Sequence, residues 1–197
     1  MLLDKKVAGM PLEGSILNAE RTERVLPRLS AAIGMGRKER MKTAAEKLAE
    51  LGCHRITPLL TERVQVPGDP MKQVSRLGRV CLSALKQSRS LFLTQVEQPV
   101  FLDDFLQEIS QKKSQLVFCR RGLPEGKAAS FRLQACHEEY VLLVGPEGGF
   151  SAGEISRIDN AASAWMHLGS NELRFETAAI AGFVILRKAV WGDLILY

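Results

Sequence analysis

The run from Tyr140 to Glu154 constrains this chain more than any other segment. Tyr140-Val141-Leu142-Leu143-Val144 is an almost continuous apolar stretch, the mark of a strand covered on both faces. It ends in Gly145-Pro146-Glu147-Gly148-Gly149-Phe150, and Ser151 then stands three residues before Glu154, the spacing of a capping box that opens a helix. Strand, glycine turn and helix N-terminus form the repeating unit of an open α/β sheet. Ligands bind such sheets at the carboxyl ends of the strands, where glycines let them come close to the backbone. Two phosphate-binding patterns are excluded. No Gly-Lys-Ser/Thr follows the turn, as a P-loop requires, and the glycines do not fall as GxGxxG. On its own this turn is equally a plain tight connection.

A second glycine turn lies nearby. Trp165-Met166-His167-Leu168 reads as a short strand ending in Gly169-Ser170, and Leu173, Arg174, Phe175, Glu176 and Thr177 follow. From Ala178 to Val190 a helix is apolar nearly all round, which implies deep burial. Two strand-end glycine loops, a carboxylate and an arginine together can frame a small ligand.

The rest of the chain alternates in the same way. Leu29–Ile33 reads as a short buried strand closed by Gly34 and Gly36. Met41, Ala44, Ala45, Leu48 and Leu51 recur at helical spacing, with Gly52 to cap them. Cys53–Leu60 reads as a strand whose ladder Pro58 limits at one point. After the loop Pro67-Gly68-Asp69-Pro70, the spacing predicts a helix from Met71 to about Ser88, a strand over Phe92–Val96 and a helix carrying Leu102, Phe105, Leu106 and Ile109. Gln115–Cys119 reads as a strand, and Arg120–Ser130 as a polar loop. This order predicts an α/β fold, a parallel sheet flanked by helices on both faces. Residues 1–26 carry the weakest pattern and read as an appendage, which a chain of 197 residues accommodates beside one large domain.

Composition narrows the function classes. No run approaches the roughly 18 apolar residues of a membrane helix, and the start, MLLDKKVAGMPLEG, has charges where a signal peptide needs its apolar core. Cys53, Cys81, Cys119 and Cys136 lie far apart with no CxxC pair, so a zinc site or disulfide framework is not expected and a reducing cytoplasm fits. His54, His137 and His167 are scattered, so no metal site is expected. The net charge of +5 is mild but unevenly spread. Lys72 to Arg89 holds five basic residues and no acidic one, and Gln111 to Arg132 holds six against Glu125 alone. Such local excess favours phosphate binding by counterion release, although long cationic side chains also simply solvate helix faces. Arg120, Arg121 and Lys127, in the expected loop, and Arg89 are the candidates for meeting the phosphates of a polyanion.

Taken in order, the segments resemble a known family. They are Glu50-Leu51-Gly52 with Ile56, Pro58 and Leu59; Thr61-Glu62-Arg63; Lys86-Gln87-Ser88; Val144 to Ser151 with Glu154; Leu168-Gly169; and Leu173-Arg174 with Glu176-Thr177-Ala178. This set is similar to the SPOUT-class methyltransferases, in particular the small-subunit (16S) ribosomal RNA (uracil-N3)-methyltransferase family, over roughly residues 27–190. The resemblance implies a C-terminal deep trefoil knot over about residues 140–190. It also implies a homodimer whose active site draws on both subunits, and S-adenosyl-L-methionine held bent in the knot loops. Carried onto this chain, the cofactor-binding positions are Leu143, Val144, Gly145, Pro146, Glu147, Gly148, Gly149, Leu168, Gly169, Leu173 and Thr177. The implied reaction is methylation of N3 of a uridine in ribosomal RNA or the small ribosomal subunit, without a metal and without a membrane. Uracil N3 carries a proton, so the transfer needs a base or a cation that stabilises the uracil anion. Arg174 and Glu176 are the catalytic candidates, while a carboxylate at position 176 equally fits a capping role and Glu147 equally fits holding its own loop.

Two departures from the family stand out. The family opens with a PUA-like RNA-binding domain, of which residues 1–26 would be a remnant or tail, leaving 27–197 as the methyltransferase domain. Position 171, typically arginine in the family, is Asn171 followed by Glu172. These departures keep two other readings open: an RNA-binding or ribosome-assembly protein that kept the fold and lost turnover, and a sibling enzyme acting on another RNA target such as a ribose 2′-hydroxyl.

Overall fold

The computed structural model describes residues 15, 18–64, 68–120, 122 and 138–192. Arg121, Lys127, Cys136 and His137, most of the Arg120–Ser130 loop and most of the first 17 residues fall outside them. The described chain runs β1 (Arg28–Gly34), α1 (Lys38–Glu50), β2 (Arg55–Leu60), α2 (Pro70–Ser88), β3 (Gln95–Val96), β4 (Val100–Phe101), α3 (Leu102–Gln111), β5 (Ser114–Cys119), β6 (Glu139–Val144), α4 (Ala152–Ala161), β7 (Ala164–Met166) and α5 (Phe175–Trp191). All the strands pair in parallel in one sheet, in the order β3-β2-β1-β6-β5-β7, with β4 also on β2.

The apolar run of β6 sits where its composition demands. All six residues are buried, with β1 on one side and β5 on the other. Alternation along the strand divides the core into two layers. Tyr140, Leu142 and Val144 face a cluster with α1, α2 and α5, while Val141 and Leu143 face a cluster with α3 and α4. Against the first layer, α5 packs very closely, because Gly182 lies over the strand: a Cβ there would stand 3.1 Å from Leu142. Only one face of α5 is buried, through Phe175, Ala179, Gly182, Phe183 and Leu186, while Thr177, Ile185, Lys188 and Ala189 are exposed, so the helix is covered less deeply than its nearly continuous apolar run predicts.

Several boundaries differ from the sequence reading. β2 begins at Arg55 rather than Cys53, because Gly52 (φ +81) and Cys53 still close the end of α1, their amides donating to the carbonyls of Ala49 and Leu48. β3 shrinks to two residues because Ser90 and Phe92 are occupied in a local turn. β4 has no sequence precedent: two residues pair with Leu59 and Leu60. Pro58, which has no amide donor, falls between the β3 and β4 pairings, so its missing hydrogen bond interrupts no ladder. β7 ends at Met166, and α5 begins at Phe175, which places Glu176 inside its first turn rather than before the helix. Among the described residues no helix is long and apolar enough to cross a membrane.

Candidate active site

The carboxyl ends of β5 and β6 and the segment after β7 enclose a cavity of about 560 Å³, a volume typical of small-ligand sites. One wall is the Gly145–Phe150 turn, the opposite wall runs from Leu168 to Phe175, and Phe118, Cys119 and Arg120 come from the end of β5. Arg40 reaches the rim from the first turn of α1.

Close backbone packing fixes the first wall. The Gly149 amide donates to the Pro146 carbonyl (2.9 Å), and Gly149 has φ +66, a conformation that favours glycine. A Cβ on Gly145 would stand 2.9 Å from the Phe150 ring, so glycine there lets that ring fold back against the turn. Phe150 in turn meets Phe118 edge to face, with ring centroids 5.7 Å apart. Behind the turn, Gly34 at the end of β1 touches Pro146 directly: a Cβ on Gly34 would lie 2.4 Å from the Pro146 nitrogen. In the opposite wall Gly169 has φ +106.

Glu154 clasps the turn to a neighbouring loop. It is 1% exposed, and its two carboxylate oxygens accept from the Ser151 amide (2.7 Å) and the Glu62 amide (2.8 Å). The Ser151 hydroxyl accepts from the Glu154 amide, which completes the capping box read from the sequence. This explains the position of Thr61-Glu62-Arg63, which lies against the turn, with the Arg63 guanidinium 3.5 Å from the Gly148 carbonyl.

Charged groups link three elements at the rim. Arg40 stands 3.2 Å from Glu147 in the turn and 4.0 Å from Glu176 in α5, and Arg37 stands 3.4 Å from Glu147. One guanidinium thus bridges the two ligand-facing segments. At the end of β5, Arg120 pairs with Asp159 (2.5 Å) and lies over the Phe118 ring, and Asp159 also accepts from the Trp165 indole (2.8 Å). Burial pushes the Cys119 thiol up to about 12, so this cavity-lining sulfur stays protonated and inert.

Of the positions carried over from the family, Val144, Gly145, Pro146, Glu147, Gly148, Gly149, Leu168, Gly169, Leu173 and Arg174 line the cavity together. Three do not. Leu143 is fully buried and, by strand alternation, points into the α3–α4 layer. Thr177 lies exposed on α5, and Glu176 turns toward Arg40. Arg174 is the N-cap residue of α5 and is exposed at the cavity mouth; its side chain makes no capping bond. Of the RNA candidates, Arg120 is engaged with Asp159 at the cavity, and Arg89 is exposed in a left-handed conformation (φ 54) at the end of α2. The sequence reading missed Arg40, Phe118, Phe150, Ile155 and Phe175 in the wall. Phe150 was signalled by its place directly after two glycines, whereas Arg40 sits in an ordinary amphipathic helix and only the sheet order brings it here. Among the described residues no group of His, Cys, Asp and Glu is placed to hold a metal ion.

Comparison with known proteins places this geometry. A family model described as an RNA methyltransferase domain matches residues 23–187. The chain is 31% identical over 147 residues to a ribosomal RNA small subunit methyltransferase E of Aquifex aeolicus, covering 74% of this chain and 62% of the relative. It is 27% identical over 139 residues to the protein of the same description from Mesomycoplasma hyopneumoniae, covering 70% and 59%. The chain therefore spans about three fifths of the length of these curated relatives. Among solved structures, a putative methyltransferase of Legionella pneumophila with S-adenosylmethionine bound aligns at TM-score 0.72 and 32% identity, covering 82% of this chain and 66% of that one. The ribosomal RNA small subunit methyltransferase E of Neisseria gonorrhoeae shares the fold at TM-score 0.72 and 21% identity, covering 83% and 66%. With the match spanning nearly all of the sheet and both walls of the cavity, the chain belongs to the RNA methyltransferase domain family.

Proposed function

We propose that this chain binds S-adenosyl-L-methionine in the cavity between the two glycine turns and methylates N3 of a uridine in small-subunit ribosomal RNA. The observation that carries the reading is the cavity itself: two strand-end glycine turns face each other across about 560 Å³, with Arg174 at the mouth, inside a matched RNA methyltransferase domain.

The residues present fit the cofactor. Phe118, Phe150, Ile155 and Leu168 give an apolar lining suited to an adenine ring. Gly145, Gly148, Gly149 and Gly169 line the cavity, and the lack of a side chain there lets a ligand come close to the backbone. Arg40 and Glu147 supply both signs of charge for the zwitterionic amino-acid end. When bound, the cofactor supplies an electrophilic methyl group on a sulfonium, which leaves as a neutral thioether.

The chain's own work is positioning and charge. Holding the acceptor in line replaces a bimolecular encounter with an oriented one. Loss of the N3 proton to solvent leaves negative charge spread over N3 and the uracil oxygens, and that charge is consumed when N3 accepts the methyl group. Arg174, always cationic and placed at the mouth, stabilises that charge. Glu176 faces Arg40 rather than the cavity, so its part is to hold the first turn of α5 against α1 and the Glu147 turn.

The chain path supports the threaded topology. From β7, at the sheet edge beyond β5, the backbone returns across the carboxyl ends of β5 and β6 to α5, which packs on α1, β1 and β6.

The test is transfer of a labelled methyl group from S-adenosylmethionine to small ribosomal subunits, followed by mass mapping of the modified nucleoside. The expected product is N3-methyluridine, reduced at least 100-fold by Arg174→Ala with cofactor binding kept. A ribose-methylated product, or none with cofactor bound, would refute the assignment.

A further inference from the structure

The basic residues of α2 are set apart by being gathered on one helix: Lys42, Lys113 and Lys188 are also exposed and meet no carboxylate among the described residues, but they lie apart from one another on other parts of the fold. Arg37, Arg40, Arg55, Lys112, Arg120 and Arg157 each meet a carboxylate. Lys72, Arg76, Arg79, Lys86 and Arg89 are all exposed, and among the described residues none of them meets one. Nor does the sequence offer a local partner, because no acidic residue occurs from Met71 to Val96.

Their spacing makes a stripe. Lys72, Arg76, Arg79 and Lys86 follow one another by four, three and seven residues, so on a helix turning 100° per residue they fall within about 80° of arc. They span fourteen steps of the helix, about 21 Å. The opposite side, with Gln73, Leu77, Cys81 and Ala84, is buried against the core, so the helix cannot roll to find other charges. One end of the stripe reaches the site: Gln73, next to Lys72, donates to the Gly36 carbonyl (3.2 Å), and Gly36 lies beside the Glu147 carboxylate. The other end is Arg89, at the far end of α2.

We infer that this α2 stripe is a docking surface for the phosphate backbone of the substrate RNA, laying one strand along the catalytic body with its end at the cavity rim. The inference rests on the RNA methyltransferase reading above. About 21 Å of a nucleic-acid strand carries about six phosphates, so four or five cations at this pitch meet a strand without crowding. Each neutralised phosphate releases counterions, and four contacts give a slope of log affinity against log salt of about −3 to −3.6.

The experiment is filter binding of in vitro transcribed small-subunit ribosomal RNA at 50 to 300 mM KCl, together with calorimetric titration of S-adenosylmethionine. Three proteins are compared: the wild type, the stripe variant Arg76→Gln/Arg79→Gln/Lys86→Gln, and the control Lys42→Gln/Lys113→Gln/Lys188→Gln, which removes the same formal charge from exposed positions elsewhere. The stripe variant should lose about 2 to 3 from the salt slope while the control loses less than 1, with cofactor affinity equal in all three. Equal losses in the two variants, or an unchanged stripe variant, would overturn the inference; the second result would point to an acidic protein as the occupant. Absence of cofactor binding in the wild type would instead sink the methyltransferase reading, and a stripe-specific loss of slope would still establish the RNA surface.

Discussion

Replacing Gly34 with alanine tests how the sheet holds the ligand turn. The backbone at Gly34 is ordinary, so the cost is steric alone. A Cβ there would lie 2.4 Å from the Pro146 nitrogen, 2.5 Å from its Cδ and 2.9 Å from its Cα. Ordinary contacts between such atoms are about 3.5–4.0 Å, so Pro146 must retreat by about 1 Å. It has no rotamer to escape into, because its ring is closed and buried. Overpacking of this kind costs about 1–3 kcal/mol, a fall in Tm of about 2–12 °C for a chain of this size. The larger effect is on the site. Pro146 begins the turn that carries Glu147, Gly148 and Gly149, and a displacement of about 1 Å in a positioning element can cost about 100-fold. Calorimetric titration should show affinity for S-adenosylmethionine falling more than tenfold. Gly36→Ala is the control, because its Cβ would meet nothing nearer than the Glu147 Oε1 at 3.6 Å, and it should change stability by less than about 0.5 kcal/mol. If Gly34→Ala melts and binds like the wild type, β1 does not brace the turn and the reasoning fails.

Glu154→Gln puts an amide donor against one of two buried backbone donors. It should lower unfolding stability by about 1–3 kcal/mol in urea titrations with the slope unchanged; an unaltered midpoint would mean the clasp carries no stability. Arg40→Ala should weaken cofactor affinity several-fold while stability moves by about 1 kcal/mol or less, since the pairs it loses are partly exposed. Arg40→Lys should recover part of that affinity, and equal losses in both variants would contradict a bridging role. Cys119 lines the cavity with its thiol pushed up to about 12, so at pH 8 its thiolate fraction is about 10⁻⁴. Peptide mapping after iodoacetamide treatment should find it labelled only in denaturant; labelling at the rate of a free thiol in the folded protein would contradict that burial.

Much of the fold was legible because its signals are local. The continuous apolar run of β6, the helical spacing in α1 and α2, and the Ser151–Glu154 box each involve neighbours in sequence, and each reappears in the structure. The two walls of the cavity were legible as glycine turns at strand ends. What stayed hidden depends on sheet order. Nothing near Arg40 marks it as a partner for Glu147, 107 positions away; the pairing arises because β1 lies beside β6 and brings the start of α1 over the turn. β4 stayed hidden because two residues carry no period, and the Leu143 side chain lies outside the cavity because a one-residue step along a strand exchanges the two faces of the sheet.

The central claim is that the cavity between Gly145–Phe150 and Leu168–Phe175 holds S-adenosylmethionine. Isothermal titration of the purified chain with that ligand addresses it without RNA, ribosomes or turnover. The account predicts saturable heat for one site per chain, with Kd between about 1 μM and 1 mM, the range of working cofactor and substrate affinities, and a more than tenfold loss in Gly34→Ala. No heat of binding at millimolar ligand would contradict it.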